Sequence, residues 1–170
     1  SEFSRAYFSA LARALWPAVK ALSLDVTGTL LVHRAPIHET YAACAVWARL
    51  EDAPSPEELR PAFKEAFRET SRSYPCFGHE DDLSSRAWWA MVVKSTLRHC
   101  GRDYPKADFE RFFRRVYQHY GTLAAYEELP DAKPFLDWAR QQGLAIGVTT
   151  NSDFRTIDDV LPMMGLHDQF

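Results

Sequence analysis

Two short apolar runs frame the chain, and helix-period patterns fill the space between them. Ala21-Leu22-Ser23-Leu24-Asp25-Val26 ends in a carboxylate and a Gly-centred turn, and Leu144 to Thr149 leads into Thr150-Asn151. Each run is short and rich in aliphatic residues, which predicts buried strands over about 21–26 and 144–149. In His38 to Leu50, Tyr41, Cys44, Ala45 and Ala48 recur on one helical face. Ser55-Pro56-Glu57-Glu58 opens a second helix, with Ser55 as cap, Pro56 at its first position and Glu58 closing a capping box. Its apolar stripe is Leu59, Phe63, Ala66 and Phe67. Tyr74 to His79 is broken by Pro75 and Gly78 and predicts a loop. Ser84 or Ser85 then caps a third helix carrying Trp88, Trp89, Val92, Val93 and Leu97, stopped at Gly101.

A fourth helix, about 106–120, holds Phe109, Phe112, Phe113, Val116, Tyr117 and Tyr120, whose spacing reads as core or, if exposed, as a partner surface. Asp131 to Gln142 predicts a further helix, and 154–164 another, with Ile157, Val160, Leu161 and Met164 inward and Pro162 disturbing its last turn. Strand, helical insert, helix, strand, helix is the opening of an α/β domain with parallel strands. The division expected is an amino-terminal helix over 1–20, a core of 21–35 and 129–170, and a helical cap over 36–128. Residues 4–20 pattern as an amphipathic helix with Tyr7, Phe8, Leu11 and Leu15 beside Arg5, Arg13 and Lys20. They read either as a packing helix or as the remnant of an organelle-targeting segment.

Composition narrows the function classes. The 170 residues are 46% hydrophobic and 14% aromatic with a formal net charge of −3, enough for one core plus a small insert. No basic stripe is interleaved with aromatics, which argues against nucleic acid, and no apolar run approaches about 18 residues, which argues against a membrane span. The three cysteines, Cys44, Cys76 and Cys100, are odd in number and far apart, and predict free, buried thiols in a reducing compartment. The expected location is cytoplasmic or mitochondrial.

The candidate chemistry lies at the carboxyl ends of the strands, where ligands of open α/β sheets bind. Asp25 can attack phosphorus as a carboxylate nucleophile. The backbone amides of Val26, Thr27 and Gly28 can cradle the transferred oxygens, and the Thr150 hydroxyl can donate to them. Mg²⁺ is needed to bring an anionic phosphate to an anionic carboxylate. The competing reading is an ordinary turn in which Asp25 bonds backbone and Gly28 only permits a positive φ. Arg86 and the Tyr74–His79 loop can face the site from the cap, or serve as solvated neighbours of a tryptophan core. His33, His38 and His79 lack metal-ligand spacing.

Asp25-Val26-Thr27-Gly28-Thr29-Leu30 after an apolar strand, and a second strand ending at Thr150, resemble the first two motifs of the haloacid dehalogenase-like (HAD) superfamily. The helical insert matches the position of that family's type-one cap. A narrower likeness to one subgroup rests on Phe67-Arg68, Tyr74-Pro75, Phe77-Gly78 and Leu83-Ser84-Ser85-Arg86-Ala87-Trp88-Trp89 with Val92-Val93, extended by Thr150-Asn151, Asp153 and Arg155. The resemblance implies a Rossmannoid core, here with two parallel strands, and Mg²⁺-dependent phosphoryl transfer on a small phosphorylated substrate. It implies Asp25 as nucleophile and metal ligand, the Thr27 carbonyl as a second metal ligand, and Val26, Thr27, Gly28, Thr150 and Asn151 on the phosphate. Arg86 would contact substrate from the cap.

Three departures from the family pattern set limits. The family's second aspartate, its general acid/base, is Thr27 here, as in P-type ATPases, whose aspartyl phosphate persists. The later Lys and acidic motifs are absent from residues 1–170, so the chain by itself is expected to be inactive. Two parallel strands also leave unpaired edges. An alternative therefore stands beside the enzyme: a non-catalytic accessory subunit of a larger assembly, possibly mitochondrial, in which a protein partner completes the sheet.

Overall fold

The computed structural model describes residues 19–170. The amino-terminal helix expected over 1–20 lies outside the described residues as far as residue 18, and Val19 and Lys20 are not helical. Strand β1 (Ala21–Leu24) pairs in parallel with β4 (Ala145–Val148), Leu24 opposite Val148. The chain is mixed α/β, and among the described residues each of these strands keeps one edge without a strand partner.

A second sheet was not anticipated. Strand β2 (Leu31–His33) pairs antiparallel with β3 (Tyr126–Glu128), bringing together the two crossings between the β1/β4 layer and the helices. Arg34 locks this neck: its amide donates to the Ala125 carbonyl at 2.9 Å and its guanidinium to the Tyr126 carbonyl at 3.0 Å. Three residues are too few to show a period of two, so the pairing leaves almost no pattern in the sequence.

The helices are α1 (Ile37–Trp47), α2 (Pro56–Ser73), α3 (Ser85–His99), α4 (Lys106–His119) and α5 (Ala132–Gln141). Tyr41, Cys44, Ala45 and Ala48 on and after α1 are all buried, as the spacing requires. The α2 capping box forms: Ser55 Oγ accepts from the Glu58 amide and the Glu58 carboxylate accepts from the Ser55 amide. Of the two candidates it is Ser84 that caps α3, accepting from the Ala87 amide at 3.2 Å. The segment after β4 begins as a π-turn, Thr156–Val160, and closes as the short α6, Leu161–Met163. Pro162 has no N–H to return to a carbonyl four residues back, which fits the widened turn before it.

Buried side chains fall into two groups. One joins α1, α2, α3 and α4 through residues such as Tyr41, Leu59, Val93 and Phe112. The other joins Val26, Leu30 and Leu31 to Tyr126, Leu136, Val160 and Leu161 beneath the sheets. Trp88 is 1% exposed and donates its indole N–H to the Tyr74 carbonyl at 2.9 Å, while Trp89 is only half-buried. The Tyr74–His79 segment includes a 3₁₀ turn, Cys76–Asp81, in which Cys76, Phe77 and Gly78 all have positive φ. At Gly78 a Cβ would meet Leu83 Cδ1 at 2.5 Å, so only glycine fits. That bend leaves Cys76 exposed, against the expectation that all three thiols are buried; Cys44 is buried and Cys100 half-buried. No helix among the described residues is long and apolar enough to cross a membrane.

Replacing Ser55 with Ala removes one acceptor for the first turn of α2, and is expected to lower the unfolding free energy by about 1 kcal/mol. Urea unfolding midpoints of the two proteins measure it, and an unchanged midpoint would contradict the capping account.

Candidate active site

The β1/β4 register carries both candidate loops to one end of the sheet. Because Leu24 stands opposite Val148, the residues that follow, Asp25 to Gly28 and Thr149 to Asn151, leave the sheet side by side. Two side-chain links hold the loops together. Ser23 and Thr149 share a hydroxyl hydrogen bond of 2.5 Å, and Thr27 Oγ1 and Ser152 Oγ one of 3.3 Å. Asp25 is exposed at this end. Val26 is fully buried, backbone included, and its carbonyl accepts from Thr29, Leu30 and Leu31. Gly28 has φ +88° and donates its amide to the Leu31 carbonyl at 2.7 Å. This differs from the expected cradle: the Gly28 amide is spent inside the turn and Val26 is fully buried, which leaves the amide of the exposed Thr27. Thr150 Oγ1 accepts from the Ser152 amide at 3.1 Å and keeps its own proton to donate.

Above these loops lies a cavity of about 480 Å³ between the helices and the sheet end. Thr27, Asn151, Ser152 and Asp153 line its lower wall, Asp25 and Thr150 lie in the same loops but do not line it, and nine of its twenty lining residues are Phe, Tyr or Trp. The helices reach the loop after β4 through two residues to which sequence reasoning gave no role. Asp153, 9% exposed, accepts from Ser85 Oγ at the start of α3 and from Trp89 Nε1 at 3.3 Å. Its other oxygen accepts from the Arg155 amide at 3.4 Å. Arg155 sits 4.0 Å over the Tyr117 ring, donates to the Tyr117 carbonyl at 3.3 Å, and pairs with Asp159 at 3.4 Å.

Arg86 does not line the cavity. It is exposed and lies 5.4 Å from the ring centres of both Phe113 and Tyr117. The arginine in the cavity wall is Arg155. The sequence carried a signal for it, since Asp153 and Arg155 follow Thr150-Asn151 directly, but nothing local marks their cap-side partners.

His33 on β2 stands in the cavity wall with its ring 5.4 Å from those of Tyr120 and Tyr126. Burial lowers its pKa from the ordinary 6.5, and the nearby His119 lowers it further. Burial pushes the phenols of Tyr120 and Tyr126 upward. At neutral pH this wall therefore carries an uncharged imidazole and protonated phenols.

Comparison with known proteins agrees with this architecture. A family model described as haloacid dehalogenase-like hydrolase matches residues 19–170. Haloacid dehalogenase-like hydrolase domain-containing protein 3 of Homo sapiens is 32% identical over 152 residues, 89% of this chain and 59% of the relative. Its Mus musculus counterpart is 31% identical over 154 residues, with the same coverage of each chain. The chain thus spans about 59% of the length of these relatives. Two solved structures share the fold at 17% identity. A predicted phosphoglycolate phosphatase from Haemophilus somnus superposes with a TM-score of 0.54 over 89% of this chain and 60% of its own, and a dehalogenase with 0.55 over 90% and 60%. The chain belongs to the haloacid dehalogenase-like hydrolase family.

The lowered pKa of His33 predicts a pH effect on stability. The folded state binds fewer protons here than the unfolded state, so the stabilisation is present above the unfolded pKa of 6.5 and is lost as pH falls below it. Thermal unfolding midpoints are expected to drop between about pH 7.5 and about pH 5.5, and less steeply in His33→Gln. An identical pH dependence in the variant would contradict the assignment.

Proposed function

We propose that this family member carries a phosphoryl-transfer site with Asp25 as the nucleophile. The observation that carries the reading is the exposed Asp25 carboxylate after β1, level by strand register with Thr150 after β4, in loops whose residues Thr27 and Asn151 line the cavity. An Asp25 oxygen attacks phosphorus as the ester P–O bond breaks, and the leaving oxygen takes up a proton. Thr150 donates its hydroxyl to a phosphoryl oxygen, Asn151 lies beside it, the Thr27 amide faces the same charge, and the Val26 amide would join it only once the loop opens to a bound phosphate. Gly28 serves this loop by its backbone conformation. Asp25 and the Thr27 carbonyl would hold Mg²⁺. That all-oxygen pair fits an ion that takes its remaining ligands from water and substrate phosphate. When bound, the ion offsets the repulsion between phosphate and carboxylate.

Thr27 sets the tempo. Its hydroxyl is bonded to Ser152 and cannot act as a carboxylic acid/base at neutral pH. A missing general acid/base costs roughly 10²–10⁴ in rate, so the aspartyl phosphate would be long-lived. Residues 1–170 hold no Lys after Lys133, so these residues alone are proposed to be inactive. The proposed division of labour gives the chemistry to 21–35 and 129–170 and substrate selection to 36–128. Arg86 contributes there through the rings of Phe113 and Tyr117.

A second reading, a non-catalytic subunit whose protein partner completes the sheet, draws support from Thr27 and from the unpaired edges of β1 and β4. Turnover of 4-nitrophenyl phosphate with Mg²⁺ by the intact protein separates the two. The enzyme reading expects turnover that Asp25→Asn abolishes. Equal turnover in wild type and variant would remove Asp25 as nucleophile, and absence of both turnover and phosphate binding would favour the subunit.

A further inference from the structure

The lining of the cavity above Asp25 is specific enough to say what kind of leaving group it takes. At about 480 Å³ it far exceeds the room a phosphoryl group needs and falls within the range of sites for small organic ligands. The helices contribute Tyr41, Phe63, Phe67, Trp89 and Phe113 to its wall, and the turn before α3 adds Phe77. Trp89 has spent its one polar atom, since the indole N–H is directed to Asp153. What remains of it for a ligand is ring face. Phe67 packs against Trp89 with ring centres 6.0 Å apart, and Phe77 does so at 6.1 Å, so the three rings form one continuous apolar wall.

The charged groups are engaged, and the other polar groups, among them His33 and the hydroxyls of Tyr41, Tyr117, Tyr120 and Tyr126, lie outside the Phe67, Phe77 and Trp89 wall. Asp153 and Arg155 are the charged residues lining the cavity among those described, and both are already bonded to the cap, Asp153 to Ser85 and Trp89, Arg155 to Tyr117. His33 is held neutral by burial. A polyhydroxylated leaving group laid against Phe67, Phe77 and Trp89 would surrender its hydrogen bonds to water and find no replacement on those three rings. A flat aromatic group loses nothing of that kind and gains offset or edge-on contacts with the rings.

We infer that the cavity binds the leaving group of the substrate and selects an aromatic one, so that the substrate class is aryl-bearing phosphate monoesters. This rests on the phosphoryl-transfer reading: the ester oxygen would sit at the end lined by Thr27 and Asn151, the loop neighbours of Asp25 and Thr150, and the ring toward Phe67 and Trp89. Each stacked ring pair is worth about 2- to 13-fold in affinity.

The test is binding to the intact protein of three probes: naphthylmethylphosphonate, ethylphosphonate and inorganic phosphate, followed by calorimetry, with 2-naphthol as an uncharged fourth. The expected result is naphthylmethylphosphonate binding at least about 10-fold tighter than ethylphosphonate, in line with several ring contacts. Phe67→Ala and Phe77→Leu should each narrow that ratio and leave inorganic phosphate affinity unchanged. Phe67 is 37% exposed, so its removal does not open the core. Equal binding of the two phosphonates, or an aryl preference that survives both substitutions, would overturn the inference and leave the phosphoryl site standing. Binding of 2-naphthol, sensitive to both substitutions, without binding of phosphate or either phosphonate would support the aromatic cavity and overturn the phosphoryl reading. Failure of all four probes would overturn both.

Discussion

A carboxylate taken out of water must have its lone pairs met by donors, and at Asp153 most of those donors come from another layer of the fold. Ser85 and Trp89 at the start of α3 supply two of them and the Arg155 amide a third. Arg155 then reaches α4 through the face and carbonyl of Tyr117. The loop after β4 thus does two things at once. It carries Thr150 and Asn151 to the end of the sheet, and it fastens the helices over them. Loss of one partner would leave a buried polar group unsatisfied, which costs more than the bond itself contributes. The β2/β3 neck, pinned by Arg34, secures the other side of the same junction.

The cavity follows from this arrangement. Rings of α1, α2, α3 and α4 pack against one another, several edge-on, as Phe67 does with Trp88 at 5.6 Å and 83° and Tyr41 with Phe112 at 6.1 Å and 85°. Such contacts make a stiff wall that does not collapse onto the strand ends. Family membership brings the expectation of chemistry at an aspartate, and the position of Asp25 is compatible with it. Thr27 pulls the other way, toward a slow or stalled cycle. The covered aromatic space bears on what enters the site, whatever the rate.

Much of the scaffold was legible in the residues. Ser55 and Glu58 specify their capping box by type and spacing alone, and Tyr41, Cys44, Ala45 and Ala48 declare a buried face. The two strand ends announce themselves because an apolar run stops at Asp25 and another at Thr150. The rest depends on contacts that leave no local trace. Ser85 and Asp153 are 68 positions apart, and neither is unusual in its own neighbourhood. Helical spacing placed Phe63, Phe113 and Tyr117 inward, but periodicity cannot tell a filled interior from a cavity. The sequence pointed to Arg86 beside the site and gave Arg155 no role there; the path of the loop after β4 puts Arg155 in the wall. The Gly28 amide looked available until the turn returned it to Leu31.

The central claim is that Asp25 receives a phosphoryl group beneath the cap. It is tested most directly by a crystal structure of the intact protein grown with Mg²⁺ and beryllium fluoride, a stable mimic of an aspartyl phosphate. The account predicts the analogue bonded to an Asp25 carboxylate oxygen, with the Thr150 hydroxyl donating to one of its fluorides and the aromatic wall above it. An Asp25 side chain turned into its own backbone, with no analogue bound, would contradict it.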